Sequence, residues 1–288
     1  MRRREWLIGG GALLGCGTAS PNAERTEARD PPLATGPSRL RVLTYNVLAD
    51  PVEVERRIPR LLEIFRDADA DLLALQEVAP WFVEILEREG WLRDYQAARI
   101  DGELALPNGQ MILSRFPIAR SRARRLSGRQ GRTVLVSEVT LGADEAFVLA
   151  TTHMESFLED GPTRALQLDE IFAELAGEVA PTLFAGDLNF GDGEQPDSAH
   201  LDPAFVDLWT RLHPGDPGLT WNIERSPMAA AGSFVGEPSR RLDRMLLRAS
   251  TWEPSTIAIV GDRSVSGDPW LFPSDHFGLV ATVSRARE

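Results

Sequence analysis

Pro181-Thr182-Leu183-Phe184-Ala185-Gly186-Asp187-Leu188-Asn189 is a short apolar run that ends in a glycine and then offers a carboxylate and a carboxamide two residues apart. Such a run, closed by turn residues, predicts a buried strand that delivers polar side chains to its C-terminal lip. In an extended exit, Asp187 and Asn189 point the same way and converge on one ligand. Asp and Asn are also common at strand ends for backbone reasons alone. Repetition tips the balance, because other strand ends in this chain finish in the same chemistry.

Residues 40–47 form the first predicted strand, which ends at Asn46. A helix follows through Leu61, Leu62, Ile64 and Phe65, and Pro59 suits a first turn, so the helix is expected to start near Ile58. Residues 71–77, apolar from Leu72 to Leu75 and ending in Gln76 and Glu77, read as a strand covered on both faces, and 81–88 make a second helix. Strands at 109–114 and 133–139 flank a connection holding Arg115, Arg120, Arg122, Arg124, Arg125, Arg129 and Arg132. That connection reads as a solvated edge with one or two arginines turned to the site.

Residues 146–153 form a strand ending at His153, and 163–178 a helix with Leu166, Ile171, Phe172 and Leu175 inward. Beyond the opening stretch come a helix or turn at 204–209, a loop at 218–222 containing Trp221, and a strand at 241–247 carrying Asp243. Ser274-Asp275-His276 precedes the last strand, 277–283. Strands with intervening helices, and several runs buried on both faces, predict an α/β fold of packed sheets with helices outside.

The 288 residues, 43% hydrophobic, suffice for one large domain. All 31 basic residues are Arg, which we read as compositional bias. The N-terminus reads as an export signal: Arg2-Arg3-Arg4, then an apolar run too short to span a membrane, then Leu13-Leu14-Gly15-Cys16. The arginines resemble a twin-arginine signal. Leu-Leu-Gly-Cys resembles the bacterial lipobox, whose Cys becomes the lipidated first residue, and Cys16 is the only Cys in the chain. The expected organisation is a signal peptide at 1–15, a lipidated disordered tether at 16–38 and a folded domain at 39–286, exported and held at the periplasmic or cell-envelope membrane surface. Removing 1–15 deletes three Arg and one Glu, so the net charge moves from −12 to −14. A chain this acidic must meet a phosphate substrate with local charge.

The strand ends together offer Asn46, Glu77, His153, Asp187, Asn189, Asp243, Asp275 and His276. Carboxylate and amide oxygens suit a hard divalent cation such as Mg²⁺ or Mn²⁺ and suit zinc poorly. A His with an Asp to orient its ring suits a general base or a phosphate-polarising group.

In order, Thr44-Tyr45-Asn46-Val47, Leu75-Gln76-Glu77-Val78, Thr152-His153-Met154-Glu155-Ser156, Gly186-Asp187-Leu188-Asn189, Arg241-Leu242-Asp243-Arg244 and Ser274-Asp275-His276-Phe277-Gly278 resemble the motifs of the endonuclease/exonuclease/phosphatase family. The resemblance spans about 39–284 and implies a four-layered α/β sandwich, two packed mixed sheets flanked by helices, with Mg²⁺-dependent hydrolysis of a phosphoester. Within the family the chain is most similar to 5′-tyrosyl-DNA phosphodiesterases, whose motifs resemble His153-Met154-Glu155-Ser156, Thr220-Trp221-Asn222 and Ser274-Asp275-His276. One departure is Gly191, where those enzymes carry an Arg.

The resemblance implies that Glu77 binds the metal, with Asn46 touching metal or phosphate and Asp275 on the metal side. It implies that Asp187 orients or deprotonates the attacking water and that Asn189 holds a non-bridging oxygen. His153 and His276 then stabilise the transition state, with Asp243 fixing the His276 ring; the base is either Asp187 or His276. Gln110, Ser156 and Trp221 are the further candidates for phosphate or substrate contacts. The expected partners are a phosphodiester substrate, nucleic acid foremost, and a membrane through the lipid anchor, with the protein acting as a monomer. A sphingomyelinase- or inositol-phosphate-type phosphoesterase shares these motifs. An inactive surface-binding lipoprotein is disfavoured because no core catalytic position is apolar.

Cys16→Ser is expected to release the protein from the membrane fraction, since one acyl chain binds only marginally and two or more hold firmly. Mass spectrometry showing an unmodified Cys16, or a start further downstream, would contradict the anchor.

Overall fold

The computed structural model describes residues 36–100, 109–143 and 145–286. The signal segment 1–15, Cys16 and nearly all of the tether lie outside the described residues. Among the described residues, no helix is long and apolar enough to cross a membrane.

Two mixed sheets of six strands each face one another. The first comprises β1 (Arg39–Asn46), β2 (Leu72–Val78), β3 (Gln96–Arg99), β4 (Gly109–Ser114), β11 (Trp252–Val260) and β12 (Gly278–Arg285), in the order β11-β12-β1-β2-β4-β3. The second comprises β5 (Ile118–Arg125), β6 (Thr133–Gly142), β7 (Glu145–His153), β8 (Thr182–Asp187), β9 (Val206–Asp207) and β10 (Asp243–Arg248), in the order β5-β6-β7-β8-β10-β9. Each sheet has one parallel pair at its centre, β1 with β2 and β7 with β8. Helices α1 (Val54–Ala68) and α2 (Pro80–Leu86) cover the first sheet, and α3 (Gly161–Leu175) covers the second. These helices and the two sheets make the four-layered sandwich; two short helices, α4 (Leu208–Leu212) and α5 (Pro227–Gly232), lie between β9 and β10 in the chain, with Leu208 and Trp209 of α4 in the inter-sheet core.

Side-chain alternation decides what each strand contributes. In β8, Leu183 and Ala185 enter the core between the sheets, while Phe184 faces α3. In β1, Leu40 and Val42 face the other sheet, while Leu43 and Tyr45 face α1. Met245 and Leu247 of β10 and Phe147 and Leu149 of β7 join the same inner core. Each such Leu, Met or Phe contributes roughly 1.5–3 kcal/mol on burial. Extending these rows by period two brings Asn46, His153, Asp187 and Asp243 to the inner face. Four chain segments thereby open onto one cleft between the sheets.

Polar residues just below that cleft knit the sheets together. Gln76 Nε2 donates to Thr44 Oγ1 at 3.1 Å and, across the gap, to Thr151 Oγ1 at 2.9 Å. Thr133 Oγ1 donates to Gln110 Oε1 at 2.7 Å. Gly186 makes the parallel pairing possible: a Cβ there would lie 2.3 Å from the Thr152 carbonyl oxygen, and φ is +154°.

Three expectations change. α1 begins at Val54 and carries Pro59 inside it, at an exposed position where the Glu55 carbonyl loses its helical donor on the exposed side of the helix. Leu166 is 47% exposed, and Ala165 and Leu168 face the core in its place. The Arg-rich connection contains a strand, β5, whose Arg120, Arg122 and Arg124 pair with Glu138, Glu174 and Glu178. These three of the seven arginines are therefore already paired with carboxylates.

Candidate active site

Asp187, at the end of β8, is fully buried and central. Its Oδ2 accepts from Asn46 Nδ2 at 2.9 Å and lies 3.4 Å from His153 Nε2 and 3.6 Å from His276 Nε2. The same Asn46 amide donates to Glu77 Oε1 at 3.2 Å. Leu48 N–H donates to Asn46 Oδ1 at 3.1 Å, which fixes which end of that amide faces the carboxylates.

Glu77 reaches this cluster against the alternation of its strand. Leu72 and Ala74 face inward and Leu73 and Leu75 outward, so Glu77 belongs by count to the outer face. Its left-handed φ of +57°, beside a register irregularity between Leu75 and Val78, turns the carboxylate back into the cleft. Strain of this kind costs on the order of 1–3 kcal/mol and collects at working sites. Asn189 departs from expectation in the same way: with φ at +58° it leaves β8 by a left-handed turn, not an extended one. Its N–H donates to Asp187 Oδ1 at 3.1 Å and its Nδ2 to the Met154 carbonyl at 2.9 Å.

His276 Nδ1 lies 2.9 Å from Asp243 Oδ2, and Trp221 packs against the ring with centroids 4.9 Å apart. Trp221 thus forms a shelf for His276. Thr220 Oγ1 accepts from the Leu242 and Asp243 N–H groups and sets the start of β10. Ser274 Oγ donates to the Asn46 carbonyl at 2.7 Å and lies 3.1 Å from Asp275 Oδ1. Gln110 is buried, with its amide oxygen occupied by Thr133. Ser156 Oγ accepts from Arg132, a buried guanidinium that faces Asp187 and Glu77 electrostatically. Arg132 is the arginine of the edge that turns to the site, and its place directly before Thr133-Val134-Leu135-Val136, the start of a strand, is the signal that marks it.

The two histidines are driven to opposite states. Burial, then the Arg132 charge, holds His153 down to about 4, outweighing Asp187 and Glu77. Burial also opposes charge on His276, but Asp187 and Asp243 overcome it and raise the ring well above 6.5. Burial pushes Glu77 upward, and His153, the Ala49 N–H and the Asn46 amide pull it below its usual range. With His153 uncharged near neutrality, the two hydrogen bonds and the charged His276 remain to lower it. Asp275 is pushed up to about 6, chiefly by burial, with Glu77 adding like charge.

Glu77 and Asp275 therefore crowd two carboxylates with the Asn46 amide beside them, an oxygen-rich set that fits a hard cation. Asp187, Asp243 and His276 also converge, with ligand atoms within 4.8 Å of one another. That trio is already joined by the Asp243–His276 hydrogen bond and contains a nitrogen donor, so it suits proton handling better. Gly191 lies beside Glu194 and Arg240, and that guanidinium is tied to Glu194 and Glu237.

Residues 43–276 match the model of the Endonuclease/Exonuclease/phosphatase family. The chain belongs to that family. Its members are phosphoester hydrolases, and this chain is one of them. Tyrosyl-DNA phosphodiesterase 2 of Danio rerio is 26% identical over 264 residues, 86% of this chain and 67% of that protein. The Mus musculus protein of the same name is 31% identical over 161 residues, and the match spans 53% of this chain and 41% of the relative. A crystal structure of the Danio rerio protein complexed with a single-strand DNA product has a TM-score of 0.74 at 24% identity, covering 86% of this chain and 100% of that one. The shared fold is the two-sheet sandwich.

In metal-free protein, imidazole NMR with single His→Gln variants for assignment is expected to find His153 neutral down to about pH 4 and His276 protonated well above pH 6.5. Stability contributed by His153 is lost as pH falls from 6.5 toward about 4, and that contributed by His276 is lost as pH rises through its own elevated value. Two rings titrating together near 6.5 would contradict the assignment.

Proposed function

We propose that the chain is a Mg²⁺-dependent phosphodiesterase acting at nucleic-acid ends. The observation that carries this reading is Asp187, ionised between a neutral and a charged histidine and joined through one amide to the acidic, cation-fitting side of the cleft. The names of the relatives favour a DNA-end substrate over a lipid one.

Glu77 and Asp275 would hold the cation, with Asn46 bridging toward Asp187. When bound there, a hard divalent cation supplies charge that neutralises the phosphate oxygens. Asp187 orients the attacking water and takes its proton, because His276 is already protonated and unable to. His276, held charged by Asp243, donates to a non-bridging oxygen as charge develops there. His153, neutral, donates through one N–H. Asn189 and Arg132 complete the phosphate cradle, with Ser156 and Gln110 at its edge. Leu13-Leu14-Gly15-Cys16 supports an exported, lipid-anchored enzyme.

Hydrolysis is expected to stop with a chelator and return with Mg²⁺ or Mn²⁺. Glu77→Ala should lower the rate at least about a hundredfold, since metal sites depend steeply on such groups. Among a 5′-tyrosyl oligonucleotide, blunt duplex and sphingomyelin, DNA should be preferred, with rates that fall as salt rises. Gly191 predicts slow 5′-tyrosyl cleavage even where ordinary DNA is cut. Undiminished activity in excess chelator would overturn the metal reading. A preference for sphingomyelin, or salt-insensitive rates on DNA, would overturn the nucleic-acid one.

A further inference from the structure

Arg57, on the inner face of α1, is 0% exposed and hydrogen-bonds no carboxylate among the described residues. All its donors go to main-chain carbonyls. Nε donates to Val52 at 2.8 Å, Nη1 to Val47 at 2.9 Å and Pro273 at 3.2 Å, and Nη2 to Leu48 at 2.8 Å and Asp50 at 2.6 Å. The guanidinium also lies over the Trp81 ring, 5.6 Å from its centroid, and Trp81 Nε1 donates to the Ala49 carbonyl at 3.2 Å. A charge buried without an ion pair is costly, and an apolar side chain would pack α1 against β1 more cheaply. The charge must therefore serve what it touches.

It touches the backbone of two site loops. The loop after β1 places Leu48 at φ +58°, unusual for a branched side chain, and in that conformation two successive N–H groups point at the site. Leu48 N–H orients the Asn46 amide, and Ala49 N–H donates to Glu77 Oε2 at 2.9 Å. Four of the carbonyls that Arg57 holds belong to this loop. The fifth, Pro273, directly precedes Ser274 and Asp275. Asp275 and Glu77 are also among the negative charges that favour the charged form of Arg57 against its burial.

We propose that Arg57 is a positioning residue for cation binding: it locks the loop after β1 in the conformation that presents Asn46 and Glu77 together, and ties it to the loop that carries Asp275. This rests on the reading that those oxygens hold a divalent cation. A residue of the general core would support α1 packing and leave cation affinity untouched. Arg57→Lys keeps the charge with three donors that cannot span both loops, and Arg57→Gln loses the charge as well.

Mn²⁺ binding to full-length metal-free protein, followed by the electron paramagnetic resonance signal of free Mn²⁺, separates these roles. The Mn²⁺ concentration at half saturation should rise roughly 10- to 100-fold in Arg57→Gln and by about tenfold in Arg57→Lys, the range seen when supports of metal ligands are removed. The Mg²⁺ needed for half-maximal hydrolysis should shift in parallel, while KM for the phosphodiester changes little. Folded variants that bind Mn²⁺ as wild type does would overturn the proposal. So would loss of the fold in Arg57→Lys, which would make Arg57 a core requirement; if only Arg57→Gln fails to fold, Arg57→Lys decides. Wild-type protein that binds no Mn²⁺ would overturn the cation reading, and this proposal with it.

Discussion

One carboxamide joins the two halves of the molecule where the chemistry lies. The Asn46 amide, at the end of β1 in the first sheet, donates to Glu77 of its own sheet and to Asp187 of the other. A buried Asp187 and a half-buried Glu77 facing each other across a sandwich would repel, and each would lose hydration. The amide gives each a donor without placing another charge between them. The cleft stays acidic enough to attract a cation and ordered enough to keep Asp187 ionised. Other features of the site are arranged around that bridge: the Leu48 N–H orients the amide, Ser274 holds the Asn46 main-chain carbonyl, and the two histidines close the far side of Asp187.

The charge layout resolves the difficulty of an acidic protein that handles phosphates. The exposed arginines of β5 are spent on Glu138, Glu174 and Glu178, and Arg241 and Arg244 on Asp192 and Asp207. The exposed pairs on β5 contribute about 0–1 kcal/mol each, whereas Arg241 and Arg244 are buried, and in both groups the pairing leaves little field for long-range attraction. What remains for a substrate is local: a protonated His276, a buried Arg132 and the cation-fitting oxygens. Such a site reads phosphate at close range, and most of its discrimination lies in the cleft itself.

Much of this was legible in the residues, for a definite physical reason. Asn46, His153 and Asp187 each end an apolar row with period two, and Asp243 begins one, so alternation alone sends them to the face between the sheets. Glu77 and Asn189 obey no such count. Left-handed backbone re-aims them, and no local pattern announces it. β3 escaped because a four-residue edge strand lacks an apolar run, and β11 because Pro254, at a bulge in this edge strand, interrupts the strand pattern ahead of Ile257. Arg57 escaped because a buried arginine in a helix looks like any solvated one until its five carbonyls are seen.

If the bridge organises the site, its members act as a unit. A double-mutant cycle on kcat/KM with Asn46→Ala, Asp187→Ala and the double variant measures this most directly. The account predicts that the double variant is scarcely slower than Asp187→Ala alone, a coupling of roughly 1–3 kcal/mol, because either change already breaks the bridge. Losses that multiply independently would show that Asn46 and Asp187 work separately and would contradict the account.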